Sequence, residues 1–290
     1  MDRIYLLAPA LLLLAIMAIA FIVYCGLCAA GRAPEVQGAK HNQILGPFMA
    51  RYLVWLIGPI ERLLLGRVSP NLITAVSLLM CAWSGVEAAL GRLGSAVWIY
   101  ALAGILDVLD GRLARLTNQQ TKSGALFDSV SDRWGELFVF TGYVWYLRDT
   151  PWLLAVMGAI GSSMMVSYTR ARAEGLGVSL SGGMMQRAER ILLVSVGSMA
   201  AAWYAAEPAT AWLTGPILGG TMAVCAVAST ATALSRWIAA FRELARRDAL
   251  AAAATEPVAV AVPAPVSAQA QAAPPYKIPA KLRESAELGL

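Results

Sequence analysis

Seven apolar stretches, each long enough to cross a bilayer as a helix, recur through this chain of 290 residues. A hydrocarbon core about 30 Å thick is spanned by roughly 20 apolar residues in helical form. Within that layer every backbone N–H and C=O must be satisfied internally, so only helices and closed barrels cross it. Barrel strands would show weak alternating segments, and nothing here alternates that way. The chain is 58% hydrophobic and 14% charged, against about 45–50% and about 25% in soluble domains. This composition speaks against a water-soluble globular protein. An extracellular disulfide scaffold is excluded by size and by only four Cys. The fold class expected is an all-α polytopic membrane protein.

Residues 4–28 form one long run, too long and too weakly basic at its start for a cleaved signal peptide. They predict an additional N-terminal transmembrane helix within residues 1–30. Residues 31–67 read as a polar linker followed by an interfacial amphipathic helix. There Arg51, Glu61, Arg62 and Arg67 interleave with Phe48, Tyr52 and Trp55, the spacing of a helix lying on a membrane. Pro59 would kink it. Ser69-Pro70 then reads as an N-cap followed by proline at the first helical position. Six further spans are expected at about 70–91, 94–117, 124–147, 151–173, 190–206 and 212–241, making a six-helix membrane domain over 68–248. Residues 249–290 read as a disordered Ala/Pro-rich tail.

Net charge is +5. The Lys and Arg cluster at helix ends, which points to topology and anionic-lipid contact rather than nucleic acid. If the first helix runs inward, only Arg3, Arg92 and Arg148 of the 23 Lys and Arg face outward. That bias predicts the orientation, with residues 107–132 near the cytoplasmic face, and the localisation expected is multi-pass in the plasma (cytoplasmic) membrane. Cys25-x-x-Cys28 has no second pair, and the lone His41 lies in the linker. These cysteines read as apolar helix residues rather than a metal site.

The most informative residues are Asp107, Asp110, Asp128 and Asp132, set at helical spacing in otherwise apolar spans. Each costs about 2.5–3.5 kcal/mol to insert at the bilayer centre, so something must compensate. Asp107 and Asp110 share one helix face, as do Asp128 and Asp132 on the next helix. The short connection at 117–123 predicts that the two helices are antiparallel neighbours, so the pairs converge. Carboxylates so close cannot all ionise without cations. An oxygen-only ligand set suits Mg²⁺, Mn²⁺ or Ca²⁺ rather than Zn²⁺. Gly111 and Ala114 clear space beside the first pair, Gly124 beside the second, and Arg115 offers a phosphate-binding fork. Two divalent ions and an Arg facing such a gap are the parts for phosphoryl chemistry.

The pattern Asp107-x-x-Asp110-Gly111-x-x-Ala114-Arg115, then Gly124-x-x-x-Asp128-x-x-x-Asp132, resembles the signature of the CDP-alcohol phosphotransferases at all eight positions. Ser69-Pro70-Asn71-Leu72-Ile73-Thr74 is similar to that family's opening to its first core helix. The resemblance spans about 68–242. It implies six core helices, a cytoplasm-facing cavity, two Mg²⁺ or Mn²⁺ ions and a homodimer. It also implies transfer of a phosphatidyl group from CDP-diacylglycerol to an alcohol with release of CMP. Carried over by position, Asp107, Asp110 and Asp128 hold metal, and Asp132 completes the second site and acts as general base. Asn71, Thr74, Gly111, Ala114 and Gly124 bind or admit the CDP moiety, and Arg115 meets its diphosphate.

A second constellation is Ser167-Tyr168-Thr169-Arg170-Ala171-Arg172-Ala173-Glu174-Gly175 with Gln186-Arg187-Ala188-Glu189-Arg190. Clustered arginines read as an anion site. The stretch is similar to phosphatidylinositol phosphate synthases and their archaeal ether-lipid relatives. That similarity implies inositol 1-phosphate as acceptor, with its phosphate on Arg170, Arg172, Arg187 and Arg190. The same chemistry with glycerol phosphate, serine or another polyol remains an alternative. So does a divalent-cation transporter using the Asp cluster as an ion path.

Overall fold

The structure, a computed structural model, describes residues 3–32, 46–180 and 182–255. The linker with His41 and most of the expected tail lie outside these residues. Eight helices follow in order: α1 (Arg3–Ala29), α2 (Gly46–Leu64), α3 (Pro70–Ala89), α4 (Leu93–Leu116), α5 (Lys122–Tyr146), α6 (Leu153–Gly175), α7 (Arg187–Ala205) and α8 (Thr214–Thr255). One 3-10 turn, Ala211–Leu213, precedes α8. The chain divides into a unit Met1–Arg246, which holds the bundle, and Arg247–Leu290. Helix α8 runs to Thr255, past residue 249, where the tail was expected to begin. The run Ala251–Ala254 consists of the strongest helix former, and Pro257 is the first residue that cannot continue a helix.

Helix starts and stops follow local chemistry. Ser69 is extended and its hydroxyl accepts from the Leu72 N–H at 3.3 Å, with Pro70 at the first helical position. Thr121 caps α5 by accepting from the Gly124 N–H at 3.0 Å. Between α4 and α5 the chain turns through Asn118 at φ 53°, a left-handed conformation that Asn tolerates.

Four of the described helices are long and apolar enough to cross a membrane: Leu7–Ala29, Pro70–Ala89, Leu93–Leu116 and Ala211–Ala253. The other expected spans, α5, α6 and α7, are more polar along their length. The reason is visible in the packing, because Ser131, Glu136, Ser162, Ser163, Arg190 and Ser198 are buried inside the bundle.

Helix α3 is the centre of the arrangement. It packs along both α4 and α5, while α4 also meets α7 and α1. The sequence predicted α4 and α5 as direct antiparallel neighbours. Instead α3 lies between them for most of their length. Its seat is built from small residues: a side chain on Gly85 would overlap the Phe138 carbonyl, and one on Gly142 would overlap the Gly85 backbone. Close backbone approach of this kind is the usual device for helix association in membranes. Ser77 and Ser84 donate to the Ala103 and Ala96 carbonyls at 2.9 and 2.8 Å, tying α3 to α4. Gly142→Leu is expected to force α3 and α5 apart. The cost of such overpacking is about 1–3 kcal/mol or more, read as a fall in thermal midpoint in detergent.

Helix α1 is fastened to α2 and α4. The Tyr52 hydroxyl donates to the Met17 carbonyl at 2.5 Å. Phe21 meets Tyr52, and Tyr24 meets Phe48 and Trp55, with ring centroids 5.1, 5.4 and 5.4 Å apart. In turn α2 is held to α4 by Arg112, whose guanidinium donates to both Glu61 oxygens at 2.5 and 3.3 Å.

Candidate active site

Three carboxylates from α4 and α5 meet beside the start of α3. One oxygen from each of Asp107, Asp110 and Asp128 lies within 4.8 Å of the others. The convergence is reached although α3 separates the two helices, because Asp107 and Asp110 sit near the end of α4 and Asp128 near the start of α5. Thr74 of α3 donates to Asp110 Oδ2 at 2.6 Å and fixes that carboxylate, which is only 3% exposed. The donors are all oxygen and anionic, which fits a hard divalent cation and no softer one.

Asp132 stands one turn further along α5, outside that triad. Its Oδ1 pairs with the Arg187 guanidinium, and the same nitrogen reaches Asp107 Oδ1 at 2.5 Å. Arg187 therefore bridges α4 and α5 from α7. It neutralises the carboxylate the sequence assigned as general base and one assigned as a metal ligand. Arg133 adds a bond to Asp132 Oδ2 at 3.2 Å.

Of the positions assigned to the CDP moiety, Gly124 lies beside Asn71 and Gly111 beside Arg115. A Cβ on Gly124 would lie 3.3 Å from Asn71 Oδ1 and 3.0 Å from the Thr121 hydroxyl. A side chain there would crowd both polar groups. A Cβ on Gly111 would meet the Arg115 guanidinium at 3.5 Å, so Arg115 folds back over its own helix towards Asp110. Ala114 is half-buried beside it.

Of the four arginines assigned to an acceptor, three line one cavity of about 900 Å³ together with Asp107 and Asp132: Arg170, Arg187 and Arg190. Arg172 does not. It is exposed, because residues two apart on a helix point to opposite sides. Arg170 pairs with Glu174 at 2.8 Å, both side chains about half exposed. Arg190 is 2% exposed and already committed, donating to both Glu136 oxygens at 2.5 and 3.0 Å and to the Met185 carbonyl at 3.2 Å.

Two contributors escaped the sequence reading. Glu136 continues the every-fourth-residue line Asp128, Asp132 on α5, and that spacing is its signal. Arg236 stands in the apolar α8. It donates to the Gly182 carbonyl at 3.2 and 2.7 Å and to the Val166 carbonyl at 3.0 Å, pinning the loop before α7. Met185 N–H donates to the Thr232 hydroxyl at 3.0 Å, so that loop presents Arg187 from a fixed base.

Residues 67–229 match the family model described as CDP-alcohol phosphatidyltransferase. A phosphatidylinositol phosphate synthase of Mycobacteroides abscessus is 36% identical over 110 residues, covering 37% of this chain and 49% of that protein. An archaetidylinositol phosphate synthase of Methanothermobacter thermautotrophicus is 33% identical over 168 residues, covering 58% of this chain and 81% of the relative. Crystal structures of Mycobacterium tuberculosis phosphatidylinositol phosphate synthase align along the bundle. One, with CDP-DAG bound, gives a TM-score of 0.55 at 30% identity over 63% of this chain and 92% of the other. Another, with manganese and citrate, gives 0.56 at 29% identity over 63% and 88%. The matched segment holds α3 to α7 and every acidic residue of the carboxylate cluster, so the chain is a multi-pass membrane enzyme belonging to the CDP-alcohol phosphatidyltransferase family.

Proposed function

We propose that this protein transfers a phosphatidyl group from CDP-diacylglycerol to inositol 1-phosphate and releases CMP. The observation that carries the reading is the sharing of Asp107. It belongs both to the three-carboxylate cluster and to the cavity that holds Arg170 and Arg187. A site for a nucleotide diphosphate and a site for an acceptor phosphate therefore touch at one side chain. The names of the relatives support the acceptor, and the CDP-DAG and manganese in the related crystal structures support the donor and the metal.

Asp107, Asp110 and Asp128 would hold one divalent ion, Mg²⁺ or Mn²⁺, and Asp132 would complete the site of a second. When bound, such ions neutralise diphosphate charge and stabilise the departing CMP. The remaining work belongs to the chain. Thr74 keeps the Asp110 carboxylate in place. Asn71, Gly124, Gly111 and Ala114 shape a slot for the cytidine, and Arg115 meets the diphosphate with its planar fork. Arg187 binds the acceptor phosphate, which competes with Asp107 and Asp132 for the same guanidinium. Acceptor binding thereby frees the Asp132 carboxylate to take the proton of the attacking hydroxyl, as a general base must. Arg170 lies on the same cavity and supplies a second positive charge to that phosphate. The charge bias of the sequence supports a site facing the cytoplasm, and in this reading the enzyme works in the plasma membrane as a homodimer.

The test is steady-state CMP release with separate variation of donor and acceptor. Arg170→Ala combined with Arg187→Ala is expected to raise the KM for inositol 1-phosphate at least tenfold, about 1.4 kcal/mol, with the donor KM within about twofold. An unchanged acceptor KM would overturn the assignment of the phosphate. A panel of glycerol phosphate, serine and unphosphorylated inositol then identifies the alcohol by product mass. Divalent-cation flux into proteoliposomes without any CDP-lipid would instead mark a transporter.

A further inference from the structure

The family match begins at residue 67, yet α1 supplies one wall of the cavity that reaches the catalytic carboxylates. Ala10, Leu13, Leu14, Met17, Ala18 and Phe21 all line it. Their spacing of three and four residues is one continuous helix face. Leu12 and Ile19, on the opposite face, do not line the cavity; along the lining face burial falls from Ala10 at 2% exposed to Leu14 at 56%. Across from α1 the cavity is walled by apolar residues of α4 and α7, among them Val97, Ala101, Ile105, Ile191 and Met199.

Charge is confined to one end. Along α4 the lining runs from Val97 to Asp107, and along α7 from Met199 back to Arg187. Both helices thus bring their charged residues to the end where Asp107, Asp132 and Arg187 are joined. That end is the one assigned above to the metal-binding carboxylate and the acceptor phosphate, so a donor whose phosphate lies at Asp107 has the apolar remainder of the cavity open to its chain. From Ala10 to Phe21 the α1 stripe extends roughly 16 Å along the axis. One leaflet of a 30 Å hydrocarbon core is about 15 Å deep, so the wall is one acyl chain long. Leu192 and Val196 line the cavity and are 50% and 61% exposed. They mark a lateral opening through which a chain can enter from the bilayer.

We propose that α1, which lies outside the family-matched segment, is the wall of a hydrocarbon-chain pocket and holds one acyl tail of the nucleotide-lipid donor against α4 and α7. The proposal rests on the reaction assigned above. Helix α1 then acts on donor selection, with no part in the chemistry at the phosphorus. Its small residues, Ala10 and Ala18, leave the pocket its width, and bulk placed there would exclude long or branched chains first.

The full-length protein in nanodiscs is assayed with CDP-diacylglycerols carrying short and long acyl chains. Leu13→Trp with Ala18→Trp is expected to raise the KM for the long-chain donor at least tenfold, leaving the short-chain donor within about twofold. Ile19→Trp, on the outer face, should change neither. A second readout needs no variant. The wild-type protein is irradiated with a CDP-diacylglycerol bearing a diazirine in one acyl chain, and the labelled peptides are mapped. Labelling of Leu13 and Met17 that unlabelled CDP-diacylglycerol competes away supports the pocket. Equal effects of the double variant on both donors, or labelling of α1 that is confined to its outer face or resists competition, overturns it while leaving the reaction assignment intact. Absence of CMP release by the wild type with every donor removes the reaction assignment, and the acyl pocket with it.

Discussion

Replacing Asp107, Asp110 or Asp128 by Asn lowers turnover by about 10²–10³-fold, the scale expected when a charge-stabilising group is removed from a phosphoryl-transfer site. The Asp110 and Asp128 variants keep or gain thermal stability, whereas Asp107→Asn also gives up its pair with Arg187. Three carboxylate oxygens within 4.8 Å of one another repel unless a cation sits among them, so neutralising one relieves the fold even as it removes the chemistry. Opposed shifts in activity and stability are what separate a ligand from a structural residue. CMP release and the thermal midpoint are measured on the same preparation, with and without chelator. Chelation should silence the wild type, and Mg²⁺ or Mn²⁺ should restore it. A variant that loses its fold together with its activity would argue that these carboxylates are structural.

Arg190→Ala is expected to act in the contrary sense. Its guanidinium and the Glu136 carboxylate are 2% and 3% exposed, and the arginine holds Met185 in the loop that leads to Arg187. Removing one partner of a buried pair leaves a charge without compensation and costs about 3–5 kcal/mol. For a protein of this size that is a fall of about 10 °C or more in thermal midpoint. Activity should fall with the folded fraction, without a specific rise in acceptor KM. Arg190→Met with Glu136→Leu replaces both charges by apolar groups of similar volume and should recover most of the stability. A normal midpoint with a raised acceptor KM in Arg190→Ala would return this residue to the acceptor phosphate. The contrast with Arg187 is instructive. Both arginines line the same cavity, but Arg187 holds carboxylates that have other proposed work, whereas Arg190 holds one that has none.

Much of the carboxylate cluster is legible in the sequence. An Asp in an apolar span is expensive. Spacings of three and four residues place Asp107 with Asp110 and Asp128 with Asp132. Gly111 and Gly124 next to them signal room for a ligand. What was missed follows from partners distant in sequence. The bridge from Arg187 to Asp107 and Asp132 joins residues 80 and 55 apart, and the pair Arg190–Glu136 joins residues 54 apart. Both arginines look alike in sequence, since each stands near the start of the same helix. Arg170 and Arg172 are a different case. Helix periodicity alone puts them on opposite faces, and only Arg170 reaches the cavity.

Sequence by itself determined that this chain is a helical membrane protein, where most of its helices begin, and which acidic residues must find a counter-charge. Those outcomes depend on burial cost, capping and periodicity, which act within one helix. Tertiary structure alone decided that α3 would lie between α4 and α5, that Asp132 would pair with Arg187, and that α1 would close the side of the cavity. Each of these depends on which surfaces fit closely: glycines admitting a backbone, a guanidinium reaching two helices, a stripe of alanine and leucine facing a gap. Fit between surfaces is a property of the assembled helices, and no single segment carries it.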